Sequence, residues 1–159
     1  MRVLLFGCGR VGRSFCELLS RKRNIAASAS ISLVGVATRS RGCIYNPYGN
    51  GIDVDNLLKW EALTGRLDAL LHEGGLILND ADEMLEDLDY DVLVECTPSD
   101  FELGEPARTI MKKALERGKH VVTANTGAMS LYYDELMEGS LQRGVSLLYE
   151  ATVLSGTPL

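Results

Sequence analysis

Three glycines, Gly7, Gly9 and Gly12, and two arginines, Arg39 and Arg41, are the residues whose type and spacing most directly imply chemistry. A G-x-G-x-x-G run bends the backbone sharply and leaves main-chain N–H groups open to an anion. Its surroundings are those a dinucleotide site requires. The apolar run Val3–Phe6 leads straight into the glycines, and Val11, Phe15, Leu18 and Leu19 follow at helical spacing. Gly7 is expected to make the turn, Gly9 to let the backbone approach a pyrophosphate, and Gly12 to let the helix pack on the strand. The bland alternative is an ordinary glycine turn before a helix.

The next apolar run ends Val36-Ala37-Thr38-Arg39-Ser40-Arg41, and this bears on which dinucleotide is bound. NAD sites place an Asp or Glu here to hold the ribose hydroxyls, whereas this chain has no carboxylate until Asp53. The guanidiniums of Arg39 and Arg41, with two hydroxyls including that of Thr38, stand where a 2′-phosphate would lie. Guanidinium forks match phosphate oxygens in pairs, and a carboxylate would repel them. NADP is therefore favoured over NAD. The alternative is that both arginines are solvated loop charges.

These groups need a scaffold, and the chain is long enough to build one. Its 159 residues, 46% of them hydrophobic, suit a single globular domain with a core of its own. A net charge of −6 with scattered Lys and Arg gives no reason to expect a nucleic-acid partner. No apolar run approaches the length of a membrane span, and Met1-Arg-Val already reads as strand rather than signal peptide, so a cytoplasmic location and no membrane partner are expected. The four cysteines lack C-x-x-C spacing and the chain has only two histidines, so reduced thiols are expected rather than a zinc site.

Strands are predicted at Val3–Phe6, Ile31–Val36, Leu76–Leu78, Val92–Cys96, His120–Thr123 and Val145–Tyr149. Most are continuous rather than alternating, as in strands covered on both faces. Helices are predicted at Val11–Arg23, Asp53–Leu63, Pro106–Arg117 and Leu131–Arg143, with Pro106 in a first turn and Gly118 and Gly144 at C-termini. The alternation implies an α/β fold, a Rossmann-like doubly wound parallel sheet in one domain. Arg39–Gly51 reads as a long surface loop, and acidic Asp80–Asp91 as a solvated helix or edge.

Four ordered segments add a more specific signal: Asp91-Val-Leu-Val-Glu-Cys-Thr-Pro-Ser-Asp100, Gly104-Glu-Pro, Gly118-Lys-His-Val-Val-Thr-Ala-Asn125 and Tyr149-Glu-Ala-Thr-Val-Leu-Ser-Gly-Thr-Pro158. With the glycine fingerprint, they resemble homoserine dehydrogenase, especially its compact archaeal-type members, over essentially the whole chain. The resemblance implies an oxidoreductase of amino-acid biosynthesis that reduces L-aspartate 4-semialdehyde to L-homoserine with NAD(P)H. It implies that Phe6, Gly7, Gly9, Arg10, Val11 and Gly12 bind the cofactor phosphates and Arg39 the adenine-ribose end. Thr97 and Pro98 would border the nicotinamide ribose, with Asn125 and Thr126 beside them. It further implies a sodium ion held by backbone carbonyls, the matching positions being Glu150, Val153, Ser155 and Thr157; hard oxygen ligands suit such a cation.

Two departures from the family pattern matter. The family usually reads Ala-Asn-Lys-Gly, and this chain has Ala124-Asn125-Thr126-Gly127. The family lysine can favour negative charge developing on a carbonyl oxygen, whereas Thr126 offers a hydrogen bond without charge. The sequence also ends at Pro158-Leu159, where the family's chain enters its substrate domain. That later portion holds the substrate contacts and the acid/base lysine and aspartate. No catalytic residue is therefore expected among these 159, and the isolated residues are expected to be inactive. The implied partners are the dinucleotide and, with a substrate domain, a small amino-acid aldehyde; homodimerisation is left open. Two other readings stand beside this one. One is a non-enzymatic NADP-binding sensor or partner module, and the other is a related amino-acid dehydrogenase with another substrate.

Overall fold

The computed structural model describes residues 1–46, 51–73, 77–78 and 80–153. Strands β1 (Arg2–Phe6), β2 (Ser32–Ala37), β3 (Cys43–Tyr45), β4 (Ile77–Leu78), β5 (Val92–Glu95), β6 (His120–Thr123) and β7 (Leu147–Leu148) form one sheet in the order β4-β3-β2-β1-β5-β6-β7. The five strands β2-β1-β5-β6-β7 are parallel. Helices are α1 (Arg10–Arg21), α2 (Arg23–Ser28), α3 (Val54–Thr64), α4 (Ala81–Asp87), α5 (Ala107–Glu116) and α6 (Thr126–Arg143).

Side chains of the central strand alternate between two cores. Val3 and Leu5 pack on one face with Leu33, Val36, Cys16 of α1 and Leu57 of α3. Leu4 and Phe6 pack on the other with Val34, Met84 of α4, Met111 of α5 and Leu136 of α6. A parallel strand covered on both faces has no solvent side, so its sequence is apolar throughout.

The sheet departs from an all-parallel plan at one edge. β3 pairs antiparallel with β2 (Gly35↔Tyr45, Val36↔Ile44, Ala37↔Cys43), and β4 pairs antiparallel with β3. Thus Arg39–Gly51 is not all loop. Its first part is a tight hairpin closed by Thr38, whose N–H and Oγ1 both donate to the Gly42 carbonyl at 3.2 and 2.8 Å. Ile44, flanked by Cys43 and Tyr45 between turn-forming residues, is fully buried and anchors the returning strand. Of the glycine-rich remainder, residues 47–50 lie outside the described residues, as does Leu76 of the predicted strand.

Other differences have similar local causes. α6 starts at Thr126 rather than Leu131, because Asn125 caps it by accepting the Ala128 N–H at 3.1 Å. α2 was not legible, since none of its residues is buried. The acidic Asp80–Asp91 tract does contain a helix, but one that buries Met84 and Leu85 behind its charged face. Among the described residues, no helix is long and apolar enough to cross a membrane.

At the amino end of the sheet, Arg2 holds Asp91 twice, through its backbone N–H (2.7 Å) and its guanidinium (2.8 Å). These bonds, with the nearby positive charges, lower the Asp91 pKa to about 2 from its ordinary 3.8. The folded state therefore binds this proton less tightly than the unfolded chain, so the stabilisation is present above about pH 4 and lost as pH falls towards 2. Thermal melts of wild type and Asp91→Asn are expected to differ at pH 6 and to converge by about pH 2; a gap independent of pH would remove the ion pair as its cause.

Candidate functional site

The order of strands reverses at β1, which has β2 on one side and β5 on the other. Ligands of open α/β sheets bind beyond the carboxyl ends of the strands at such a point. Here the glycine turn fills it. Gly7 N–H donates to the Ala37 carbonyl at the end of β2 (2.9 Å), and Cys96 N–H donates to the Phe6 carbonyl (2.7 Å), so the turn is tied to both neighbouring strands.

The three glycines have different reasons to be glycine. Gly7 has φ +87°, and a Cβ there would lie 2.7 Å from the Thr97 nitrogen and nearer still to the Cys96 carbonyl. A Cβ at Gly12 would run into the Gly7 carbonyl oxygen, so its requirement is the approach of α1 to the turn itself. Gly9 is under no such constraint. Its φ is −77°, and a Cβ there would meet nothing within 4 Å. The space beside Gly9 opens to solvent at the N-terminus of α1, where Gly9 provides no side-chain cap and Arg10 and Val11 are exposed. The first-turn N–H groups there have no intrahelical partner, and no acidic residue occupies that turn.

Beneath this turn, Cys8 and Cys16 are buried against each other. Their mutual hydrogen bond lowers the Cys8 pKa, and that bond together with burial pushes the Cys16 thiol up.

The hairpin after β2 carries Thr38, Arg39 and Arg41 to the same end of the sheet. Thr38 is structural: its hydroxyl accepts the Arg41 N–H at 3.0 Å as well as donating to Gly42. Arg39 is exposed at the hairpin tip. Arg41 turns inward, where its guanidinium donates to the Cys8 carbonyl within the glycine turn and to Glu61 on α3. Glu61 also accepts from Arg13 on α1 at 2.5 Å. Nothing in the spacing of the sequence announces Glu61, since its partners are distant along the chain.

A second constellation lies at the carboxyl ends of β5 and β6. Asn125, fully buried, donates to the carbonyls of Thr97 (3.1 Å) and Pro98 (3.4 Å) while its Oδ1 caps α6. Behind it lies Glu95, also fully buried. The Glu95 carboxylate accepts the Thr97 N–H at 2.7 Å, the Thr97 hydroxyl, and the Thr123 hydroxyl at 2.7 Å. Burial pushes its pKa up, and these hydrogen bonds oppose the shift. A signal for Glu95 existed in the sequence: a carboxylate inside the apolar run Val92–Cys96 must be buried and therefore partnered.

Thr97, Pro98 and Asn125 are thus brought together, with the exposed Thr126 next to them; its hydroxyl donates to the Thr152 carbonyl at 3.4 Å. Glu150 lies in a short 3-10 turn, Glu150–Thr152, where its carbonyl accepts the Val153 N–H at 3.2 Å. Ser155 and Thr157, the other two positions matched to a sodium site, lie outside the described residues. A cleft of about 440 Å³ lined by Leu19, Arg23, Ile31, Ile52 and Asp55 lies at the opposite end of the sheet, where Arg23 pairs with Asp55 and Asp53 caps α3.

Comparison with known proteins agrees with this geometry. The family profile described as "Homoserine dehydrogenase, NAD binding domain" matches residues 7–150. The NAD(+)-dependent homoserine dehydrogenase of Pseudomonas canavaninivorans is 32% identical over 163 residues, covering 99% of this chain and 45% of the relative. The crystal structure of homoserine dehydrogenase from Thermoplasma acidophilum superposes with a TM-score of 0.82 at 28% identity, covering 100% of this chain and 46% of that one. A hyperthermophilic archaeal homoserine dehydrogenase in complex with NADPH superposes with a TM-score of 0.79 at 28% identity, covering 99% and 46%. This chain spans about half the length of the relatives it matches. It belongs to the homoserine dehydrogenase family and corresponds to that family's NAD-binding domain.

Proposed function

We propose that this chain binds NADP(H) in preference to NAD(H) across the carboxyl ends of β1, β2, β5 and β6. It presents the cofactor for interconversion of L-aspartate 4-semialdehyde and L-homoserine, a step of amino-acid biosynthesis. The observation that carries the reading is Gly9, a glycine that neither its own backbone angles nor its neighbours require. It is explained by a ligand whose pyrophosphate occupies that space and takes hydrogen bonds from the start of α1, around Arg10 and Val11.

In this reading Phe6, Gly7 and Gly12 shape the turn, and Arg39, with the hairpin of Thr38 and Arg41, faces the adenine ribose. Thr97, Pro98, Asn125 and Thr126 border the nicotinamide ribose. The bound nicotinamide supplies the hydride chemistry, and these residues bind and orient it. A sodium ion would draw on the Glu150, Val153, Ser155 and Thr157 carbonyls; the Glu150 carbonyl, engaged by Val153, keeps one lone pair for such a role. The non-enzymatic alternative draws on Thr126, which leaves the nicotinamide end without the family's lysine.

Among the relatives one is named NAD(+)-dependent and another holds NADPH, so cofactor preference must come from this chain's own residues. Arg39 is the exposed cation at the hairpin tip, and no described carboxylate pairs with it. Arg39→Ala is expected to weaken NADPH binding about tenfold to a hundredfold, the worth of a charge-assisted phosphate contact, and to leave NADH binding nearly unchanged. Fluorescence titration of both cofactors measures this. Equal or tighter binding of NADH by the wild type, or no loss in Arg39→Ala, would overturn the NADP assignment.

A further inference from the structure

The run Thr38–Arg41 contains no carboxylate, yet the fold brings one to it. Glu61, twenty residues further along the chain from Arg41, reaches back from α3 and pairs with the Arg41 guanidinium, with only 10% of its side chain exposed. Its second oxygen holds Arg13 at 2.5 Å, and Arg13 also contacts Glu17 at 3.3 Å. Two guanidiniums and two carboxylates therefore form a cluster with no net charge. The other arm of Arg41 is fixed on the Cys8 carbonyl, inside the glycine turn.

We infer that Glu61 is a cofactor-specificity residue: by holding Arg41 against the glycine turn, it withholds one of the two hairpin cations from a ribose 2′-phosphate. The inference rests on the reading of the cleft as an NAD(P) site and refines it. A 2′-phosphate arriving beside Arg39 meets one free guanidinium rather than two. Recruiting Arg41 would mean parting it from a mostly buried carboxylate that would then lack half its compensation. Glu61 also lies within a guanidinium's width of the turn, so its charge opposes the dianionic phosphate more than the neutral ribose hydroxyls of NAD. Both effects lower the ratio of NADP to NAD affinity. Discrimination at this site is then graded: Arg39 raises the ratio and Glu61 limits it.

Glu61→Gln keeps the shape and a hydrogen-bond acceptor for Arg41 while removing the charge. It is expected to raise the NADPH:NADH affinity ratio about tenfold, mainly by tightening NADPH. The ratio for the adenine-end fragments 2′,5′-ADP and 5′-ADP should rise alongside it, since the effect lies wholly at the ribose. A ratio unchanged within about twofold, with binding otherwise intact, overturns the role of Glu61. Wild-type chain that binds neither NADPH nor NADH overturns the functional reading itself, a different outcome. A measurement on the wild type covers the case of an unfolded variant. In ¹⁵N-arginine spectra the side-chain signal of Arg41 should coincide in the NADPH and NADH complexes, while that of Arg39 differs between them. An Arg41 signal that moves only with NADPH would show that Glu61 releases it, and the inference would fail.

Discussion

Gly9→Val is expected to give a folded chain that does not bind NADPH. The glycine sits at the N-cap of α1 with ordinary backbone angles, φ −77° and ψ −151°, and open space where a side chain would go. Valine is a poorer N-cap than glycine, so a stability loss of roughly 1 kcal/mol is expected, a shift in Tm of a few degrees. The effect on binding is far larger. Two γ-methyl groups would stand between the pyrophosphate and the first-turn N–H groups of α1, and losing several charge-assisted hydrogen bonds should cost more than a hundredfold in affinity. Gly7→Ala and Gly12→Ala make the contrast, because added side chains there collide with backbone and should lower stability first. NADPH fluorescence titration alongside thermal melts separates the two behaviours. Wild-type binding by Gly9→Val would place the phosphates elsewhere.

Glu95→Ala should be the most destabilising single change where β5 and β6 end. Removing the buried carboxylate strands three donors, the half-buried Thr97 N–H and hydroxyl and the buried Thr123 hydroxyl. With the cavity left behind, a loss of about 3 kcal/mol is expected, near 10 °C in Tm for a domain of this size. Glu95→Gln reads the charge separately. Burial raises the folded-state pKa of Glu95 above its ordinary 4.5, so this group favours folding most below that pH and the benefit is lost as pH rises through the folded value. The stability of the wild type relative to Glu95→Gln should therefore fall as pH increases from about 4.5. A difference that grows with pH instead would mean that the carboxylate is stabilised by its donors more than it is penalised by burial.

Much of the glycine turn was legible because its cause is local. A strand, three glycines and a helix within a dozen residues fix their own geometry, and the structure adds only which glycine answers to which constraint. The five parallel strands were legible for a related reason: burial on both faces leaves runs such as Val92–Val94 without a polar position. The hairpin that returns as β3 was not, since Cys43–Tyr45 is too short to show a period and is surrounded by residues that signal turns. The cation at Arg41 was legible in the sequence, but its engagement with Glu61 was hidden. Ion pairing across elements depends on where α3 packs, and no periodicity encodes that. Glu95 lies between these cases, visible as an anomaly in an apolar run while its donors come from Thr97, two residues on, and from Thr123 on β6.

The place of β1 in the sheet bears on how the fold is reached. Val3 has Leu33 as its neighbour on one side and Val92 on the other. Each pairing closes a long stretch of chain, and parallel strands admit no short hairpin as a starting point. The innermost strand therefore stays an open edge until the polypeptide through β5 has arrived, with the glycine turn unsupported on that flank because its tie to Cys96 does not yet exist. The sheet should assemble slowly for a domain of this length, and the flank of the glycine turn that is tied to Cys96 should be secured only once β5 has paired with β1.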